Sequence, residues 1–319
     1  MSEKKLTIAH LSPELLNLYG DGGNILVLRK RLEWRGIECE VREVHVDDRP
    51  SFGDVDIVFI GGGSDREQRI VCEHLLAERA ELTAYVEDGG VLGAVCGGYQ
   101  LLGHSYLMGD KKVEGLSLVD LYTDRGTPRL IGNIAIESCI SARPIVGYEN
   151  HGGRTHLGSG VEPLGRVVHG HGNDGESGYE GCLYKNVVGT YIHGPLLPKN
   201  PGVADYLIGQ ALERRYGSSE LAPLDDEAEL AANDAMYQRL VSGEEKEQRG
   251  DYGAQQGRGA TCLSPFSYGW MCGSHAHRGL FTHESIGVRF SRSLLVCSSK
   301  LRVSRIGLSK LRVWKASDA

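Results

Sequence analysis

The chain has no run of eighteen apolar residues, no Cys-x-x-Cys pair and no Gly-x-x-x-x-Gly-Lys-[Ser/Thr] run. The first absence argues against a membrane-spanning helix. Met-Ser-Glu-Lys-Lys at the start is not followed by a signal-peptide core, so the chain reads as cytoplasmic. The second absence leaves eight scattered cysteines that suggest neither a zinc ribbon nor a disulfide framework. A reducing compartment suits a free, reactive thiol. The third removes a Walker-type nucleotide loop. An excess of basic charge is also missing: 35 Lys/Arg stand against 42 Asp/Glu, a net of −7, which argues against nucleic acid as the main ligand. What remains is a chain of 319 residues, long enough to bury a substantial core in one large domain or two smaller ones.

Strand-like and helix-like segments alternate, which points to an α/β fold with a mainly parallel central sheet flanked by helices. Lys5 to Leu11, Cys39 to Val46 and Val55 to Ile60 read as strands. Asn24 to Trp34 and Arg66 to Tyr85 read as helices. Leu116 to Val188 holds short β-like runs and glycine turns, expected as an antiparallel extension. Pro201 to Tyr216 and Glu227 to Val241 read as closing helices.

Val-Leu-Gly-Ala-Val-Cys-Gly-Gly-Tyr-Gln at 91–100 is the most informative stretch. Val91 to Val95 reads as a buried strand, and Gln100 onward suits a helix. Gly97 and Gly98 permit a sharp turn that places Cys96 at its apex. Such a turn exposes the sulfur and aims a helix N-terminus at it, an arrangement that favours the thiolate. It also frees the Gly97 N–H for a developing oxyanion. The base expected for Cys96 is His193, at the end of a strand-like run from Val187 to Ile192, where Gly194 and Pro195 stop pairing. Both residues then lie at the C-terminal ends of their strands, where ligands bind in open α/β sheets.

Gly61-Gly62-Gly63 after a strand invites a phosphate-loop reading but completes neither glycine spacing of a nucleotide loop, and it reads equally as a tight turn. Arg129, in Thr-Asp-Arg-Gly-Thr-Pro-Arg-Leu, carries the guanidinium that grips a carboxylate through two parallel hydrogen bonds, or is an ordinary surface arginine. Gln100 orients an amide or simply begins the helix. His169, His171 and Asp174 in Val-His-Gly-His-Gly-Asn-Asp-Gly-Glu could suggest a metal site, but no further ligand converges in sequence. A solvated hairpin loop, with no metal, is the preferred reading.

Gly-Ala-Val-Cys-Gly-Gly-Tyr-Gln with a downstream Tyr-Ile-His-Gly resembles the class I glutamine amidotransferases, and Gly-Tyr-Glu-Asn-His at 147–151 is similar to their cobyric acid synthase branch. Leu-Asn-Leu-Tyr-Gly-Asp-Gly-Gly-Asn at 16–24, Phe-Ile-Gly-Gly-Gly-Ser-Asp-Arg-Glu-Gln at 59–68 and Glu-Asn-His-Gly-Gly-Arg-Thr at 149–155 narrow the likeness. Together they resemble the GatD-type glutaminase subunits of lipid II isoglutaminyl synthase, over about Leu6 to Leu240. The resemblance implies hydrolysis of glutamine to glutamate and ammonia. The ammonia would pass to a Mur-ligase-like partner, MurT, in a heterodimer that amidates the D-glutamate of lipid II. It further implies Gly62 as the second oxyanion donor beside Gly97, and Arg129 as the residue holding the α-carboxylate of glutamine. No metal is implied in this subunit; ATP and Mg belong to the partner, because activating a carboxylate requires them. The membrane would be reached only through the lipid II substrate. Two competing readings are a catalytically weak scaffold subunit and the glutaminase part of another cobyric-acid-type enzyme.

The chain departs from the wider class at one point. Many class I amidotransferases have Glu two residues after the catalytic His, whereas Pro195 stands there here. Cys96 and His193 then work as a dyad, or another acid approaches; Asp21 is the candidate and Glu149 a weaker one. After about Gly243 the character changes. Residues 251–319 hold ten Lys/Arg against three Asp/Glu, and Ser-Lys-Leu-Arg-Val occurs at 299–303 and again at 309–313. The chain is therefore divided into a glutaminase domain, 1–242, and a basic tail, 243–319. The tail reads as a disordered segment for lipid head groups or RNA, or, more plainly, as translation past an ancestral stop. Cys262, Cys272, His275 and His277 fall in it and are not expected to form a zinc site.

Overall fold

The computed structural model describes residues 4–109 and 111–243. From the N-terminus the elements are β1 (Lys5–Leu11), α1 (Gly22–Glu33), β2 (Glu38–Val44), β3 (Ile57–Ile60), α2 (Asp65–Leu75), α3 (Arg79–Glu87), β4 (Val91–Val95) and α4 (Gly97–Leu101). Then follow β5 (Ser105–Met108), β6 (Lys111–Glu114), β7 (Leu121–Glu137), β8 (Ile145–Leu157), β9 (Gly165–His169), β10 (Tyr179–Glu180), β11 (Cys182–Tyr184) and β12 (Val187–Thr190). The described chain closes with α5 (Leu196–Lys199), α6 (Pro201–Tyr216) and α7 (Glu227–Ser242). The tail assigned to 243–319, with its cysteines and histidines, lies outside the described residues beyond Gly243.

The first sheet runs β11-β12-β4-β3-β1-β2 and is parallel throughout except for the antiparallel edge strand β11. Its two central strands, β3 and β4, are buried at every position, as expected when helices cover both faces. Alternation sorts their side chains. Ile57 and Phe59 pack with Leu28 and Leu32 of α1 and Leu207 of α6, while Val58 and Ile60 pack with Val71 and Leu75 of α2 and Val86 of α3. Each such fully buried side chain stabilises the fold by about 1.5–3 kcal/mol.

The second sheet, β10-β9-β7-β5-β6 with β8 also on β7, is the antiparallel extension, apart from the short parallel pairing of β5 with β7. It departs from expectation at both ends. It begins earlier, at Ser105, and it loses β11 and β12 to the first sheet. The expected helix Arg66 to Tyr85 breaks into α2, a 3₁₀ turn at Leu76–Glu78 and α3. The strand expected to reach Ile192 stops at Thr190. There the buried Glu180 carboxylate takes the Tyr191 N–H (2.6 Å) and the Thr190 hydroxyl (2.9 Å), pulling the chain out of the ladder. No helix among the described residues is long and apolar enough to cross a membrane.

Candidate active site

The strand–turn–helix expected around Cys96 is present, and its apex is strained. Cys96 has φ 51° and ψ −103°, a region that costs a non-glycine residue on the order of 1–3 kcal/mol. The surrounding structure compels it. The Cys96 N–H donates to the Thr190 carbonyl of β12 (2.8 Å), and the Gly98 N–H donates to the Gly61 carbonyl after β3 (3.1 Å). A Cβ at position 98 would lie 2.6 Å from the Ile60 carbonyl oxygen, so only glycine lets the turn approach this closely.

The thiolate expectation is overturned in this conformation. Burial pushes the Cys96 thiol up to about 12, and the nearby Asp21 carboxylate adds to the effect. The nearby Gly97 N–H opposes both, and is outweighed. α4 is a single turn of five residues, too short for its dipole to offset desolvation.

His193 lies three residues beyond β12, clamped by backbone hydrogen bonds to Tyr148 of β8: its N–H donates to the Tyr148 carbonyl (2.7 Å) and its carbonyl accepts from the Tyr148 N–H (3.2 Å). The ring is buried, with the Tyr19 ring 4.3 Å away. Burial is the main cause that drives its pKa down to about 3, so the imidazole is neutral at rest. Gly62 is the hinge between the two candidates. A Cβ there would lie 3.2 Å from Cys96 Cβ and 3.4 Å from His193 Cε1, so the structure brings these two side chains together across it.

A cavity of about 330 Å³ opens in front of Cys96, with Tyr19, Gly63, Gln100, Arg129 and Asn150 in its walls. Arg129 sits in the irregular stretch of β7 and is held by Asn150. Its Nε donates to Oδ1 (3.1 Å) and its Nη2 to the Asn150 carbonyl (2.9 Å), which leaves Nη1 for a ligand. Gln100 is in α4, and its amide is already engaged: Nε2 donates to the Tyr191 hydroxyl (3.0 Å) and Oε1 accepts from Gln68 (3.0 Å).

The hairpin around His169, His171 and Asp174 has a structural task. Asp174 Oδ1 accepts from the Glu176 and Ser177 N–H groups (2.8 Å each), and the His171 N–H donates to Glu149 (2.7 Å). Gly170, Gly172 and Gly175 do carry a Gly-x-Gly-x-x-Gly spacing, but it joins β9 to β10 and opens no helix. Among the described residues no group of three His, Cys, Asp or Glu side chains is arranged to hold a metal ion.

Residues 7–201 match the CobB/CobQ-like glutamine amidotransferase domain family. The chain belongs to this family. It is 45% identical over 236 residues to the GatD subunit of the glutamine-hydrolysing lipid II isoglutaminyl synthase of Staphylococcus aureus, covering 74% of this chain and 96% of that one. The GatD subunit of Streptococcus pneumoniae is 42% identical over 221 residues, covering 69% and 85%. A cobyric acid synthase of Pelotomaculum thermopropionicum is 31% identical over 201 residues, which is 58% of this chain but only 37% of that longer protein.

In this amidotransferase the structure does not bring Asp21 to His193. Asp21 Oδ2 accepts the Gly62 N–H (2.9 Å) and Oδ1 accepts from Asn24 (3.3 Å), while neither ring nitrogen of His193 has a hydrogen-bond partner. The same bond removes the Gly62 N–H as a free oxyanion donor in this conformation. The Gly63 N–H lies beside Gly97 in a residue that lines the cavity, and it has no acceptor among the described residues. Glu149 misses His193 as well, since its two oxygens are held by the His171 and Gly172 N–H groups. Tyr19 and Asn150 also went unassigned in the sequence, although both lie inside motifs that carried the resemblance. Nothing local marks a tyrosine that covers a histidine 174 residues away.

Burial raises the Asp21 pKa to about 6 from an ordinary 3.8. The folded state therefore holds this proton more tightly than the unfolded chain. The associated stability is complete below about pH 4 and is lost as pH rises through 6, at a cost of about 2–3 kcal/mol. Asp21→Asn keeps an acceptor for Gly62 and removes the charge. Its melting temperature relative to wild type should rise between pH 4 and pH 7.5. A difference that stays flat across that range would mean that Asp21 does not bury a charge.

Proposed function

We propose that the chain hydrolyses L-glutamine to glutamate and ammonia, with Cys96 as nucleophile and His193 as its base, and hands the ammonia to a Mur-ligase-like partner of the MurT type that amidates the D-glutamate of lipid II. The observation that carries the reading is the strained Cys96, which lines one cavity with Arg129 and is separated from a neutral, buried His193 only by Gly62. The GatD relatives supply the substrate of the partner reaction.

In this mechanism the resting pair is uncharged, so proton transfer accompanies attack. His193 takes the Cys96 proton as the sulfur bonds to the side-chain carboxamide carbon. The oxyanion is met by the N–H groups of Gly97 and Gly63, or of Gly62 once Asp21 releases it. His193 then gives its proton to the departing nitrogen, which leaves as ammonia. A water, deprotonated by His193, opens the γ-glutamyl thioester, releasing glutamate and returning the proton to the thiol. Arg129 would hold the α-carboxylate throughout. ATP and Mg act in the partner, where the receiving carboxylate is activated.

The test supplies the chain, a Mur-ligase-like partner, ATP, lipid II and glutamine labelled with ¹⁵N in its side-chain amide. The label should enter the D-isoglutamine amide, and only when both subunits are present. A complex that amidates lipid II from free ammonia but never from glutamine would overturn the proposal.

A further inference from the structure

The His193 imidazole is oriented by packing alone. Its backbone is clamped to Tyr148, but both ring nitrogens are buried without a hydrogen bond. One edge of the ring meets Gly62, where an added Cβ would lie 3.4 Å from Cε1. Tyr19 covers the ring, with the two centroids 4.3 Å apart and the planes inclined at 51°. A base that carries a proton from sulfur to nitrogen has to keep its aim, and a misplacement of about 1 Å can cost on the order of 10²-fold in rate.

Tyr19 is itself held at both ends. It lies in the turn between β1 and α1, where the Gly20 N–H donates to the Asn17 carbonyl (3.2 Å) and Gly20 adopts φ 77°. The flanks of this turn are fastened to one residue: the Leu18 N–H donates to the Gly62 carbonyl (2.9 Å), and the Asp21 carboxylate accepts the Gly62 N–H (2.9 Å). Gly61 and Gly63 let the two loops lie this close. A Cβ on Gly61 would run into the Leu16 carbonyl oxygen, and one on Gly63 would lie 2.6 Å from Leu16 Cδ2. The glycine run that forms no nucleotide loop therefore seats the turn that carries Tyr19. At its other end the Tyr19 hydroxyl accepts from Asn150 Nδ2 (2.7 Å). Oδ1 of the same amide accepts from Arg129 Nε (3.1 Å). Tyr19, Arg129 and Asn150 all line the cavity in front of Cys96. Burial chiefly, then the nearby Cys96, pushes the Tyr19 hydroxyl above its ordinary 10, so Tyr19 stays a neutral phenol and is not itself a base.

We infer that Tyr19 is a positioning residue for the glutaminase proposed above: its ring fixes the His193 imidazole by packing, and Asn150 ties its hydroxyl to Arg129. The inference rests on His193 being the base of that reaction. The ring acts on the chemical step, because it constrains the group that moves the proton. The hydroxyl acts on binding, because Asn150 divides one side-chain amide between Tyr19 and the arginine assigned to the α-carboxylate. Removing the hydroxyl alone and removing the whole ring therefore affect different kinetic parameters.

The test measures kcat and KM for glutamine with Tyr19→Phe and Tyr19→Ala in the full chain, alone and with its Mur-ligase-like partner. Tyr19→Ala should lower kcat by about 10²-fold. Tyr19→Phe should keep kcat near wild type and raise KM by about 2- to 10-fold, the loss of one neutral hydrogen bond. The rate of Cys96 labelling by the diazoketone 6-diazo-5-oxo-norleucine, at saturating reagent, should follow kcat across the variants. A Tyr19→Ala enzyme that keeps its kcat overturns the inference, as does an equal loss of kcat in both variants. An unchanged KM in Tyr19→Phe overturns the link through Asn150. If Tyr19→Ala fails to fold, Tyr19→Leu, which keeps the bulk but not the flat ring, takes its place with the same expected fall in kcat. Wild-type chain that neither turns over nor labels at Cys96 fails the glutaminase reading instead.

Discussion

Cys96→Ala should abolish glutamine hydrolysis, lowering kcat by about 10⁴-fold or more, because the covalent route disappears with the sulfur. 6-Diazo-5-oxo-norleucine should label wild-type chain at Cys96 and at no other cysteine. Cys39, Cys72 and Cys182 are discouraged as competitors, since burial pushes each thiol up to about 11 or about 12. Cys96 is pushed up as far, so its selectivity has to come from a bound glutamine-like ligand and from His193. Labelling that persists in Cys96→Ala would remove this nucleophile. The strain at the elbow makes a second expectation. Cys96→Gly should be as inactive as Cys96→Ala yet melt higher, by on the order of 1 kcal/mol, because glycine accepts a φ of 51° that alanine does not. Equal melting temperatures would mean that the turn stores no such strain.

Arg129→Ala should raise the KM for glutamine roughly 30- to 140-fold with little change in kcat, the equivalent of about 2–3 kcal/mol for a charge-assisted contact. The α-carboxylate is distant from the reacting carboxamide and is held equally in ground and transition states, so its loss affects binding rather than chemistry. Asn150 pre-positions the guanidinium through two hydrogen bonds. Asn150→Ala should therefore show a weaker form of the same KM effect. Steady-state kinetics at saturating and limiting glutamine distinguish the two parameters; an Arg129→Ala enzyme with unchanged KM would return the arginine to the surface.

The parts of this protein legible in the sequence are those governed by neighbours along the chain. Val91 to Val95 could be read as a buried strand, Gly97 and Gly98 as the turn and Cys96 as its apex, because period, β-branching and glycine act over a few residues. The same holds for β1, for α6 and for the parallel sheet implied by alternating elements. What the sequence alone could not decide was where polar groups would find partners across the fold. Asp21 lies in a motif that suggested a catalytic acid. Only the packing of the loop after β1 against the loop after β3 commits its carboxylate to Gly62. Glu180 ends β12 from ten residues away, and Asn150 holds Arg129 across two strands. With Pro195 at the usual offset, the sequence left a Cys96–His193 dyad or an acid from elsewhere, Asp21 or more weakly Glu149. The structure instead leaves His193 buried without a hydrogen bond from either acid, Asp21 being held by Gly62 and Glu149 by His171 and Gly172. Local steric preference is written in adjacent residues. Desolvation and hydrogen-bond satisfaction depend on which distant segments exclude water together, and only the tertiary structure determines that.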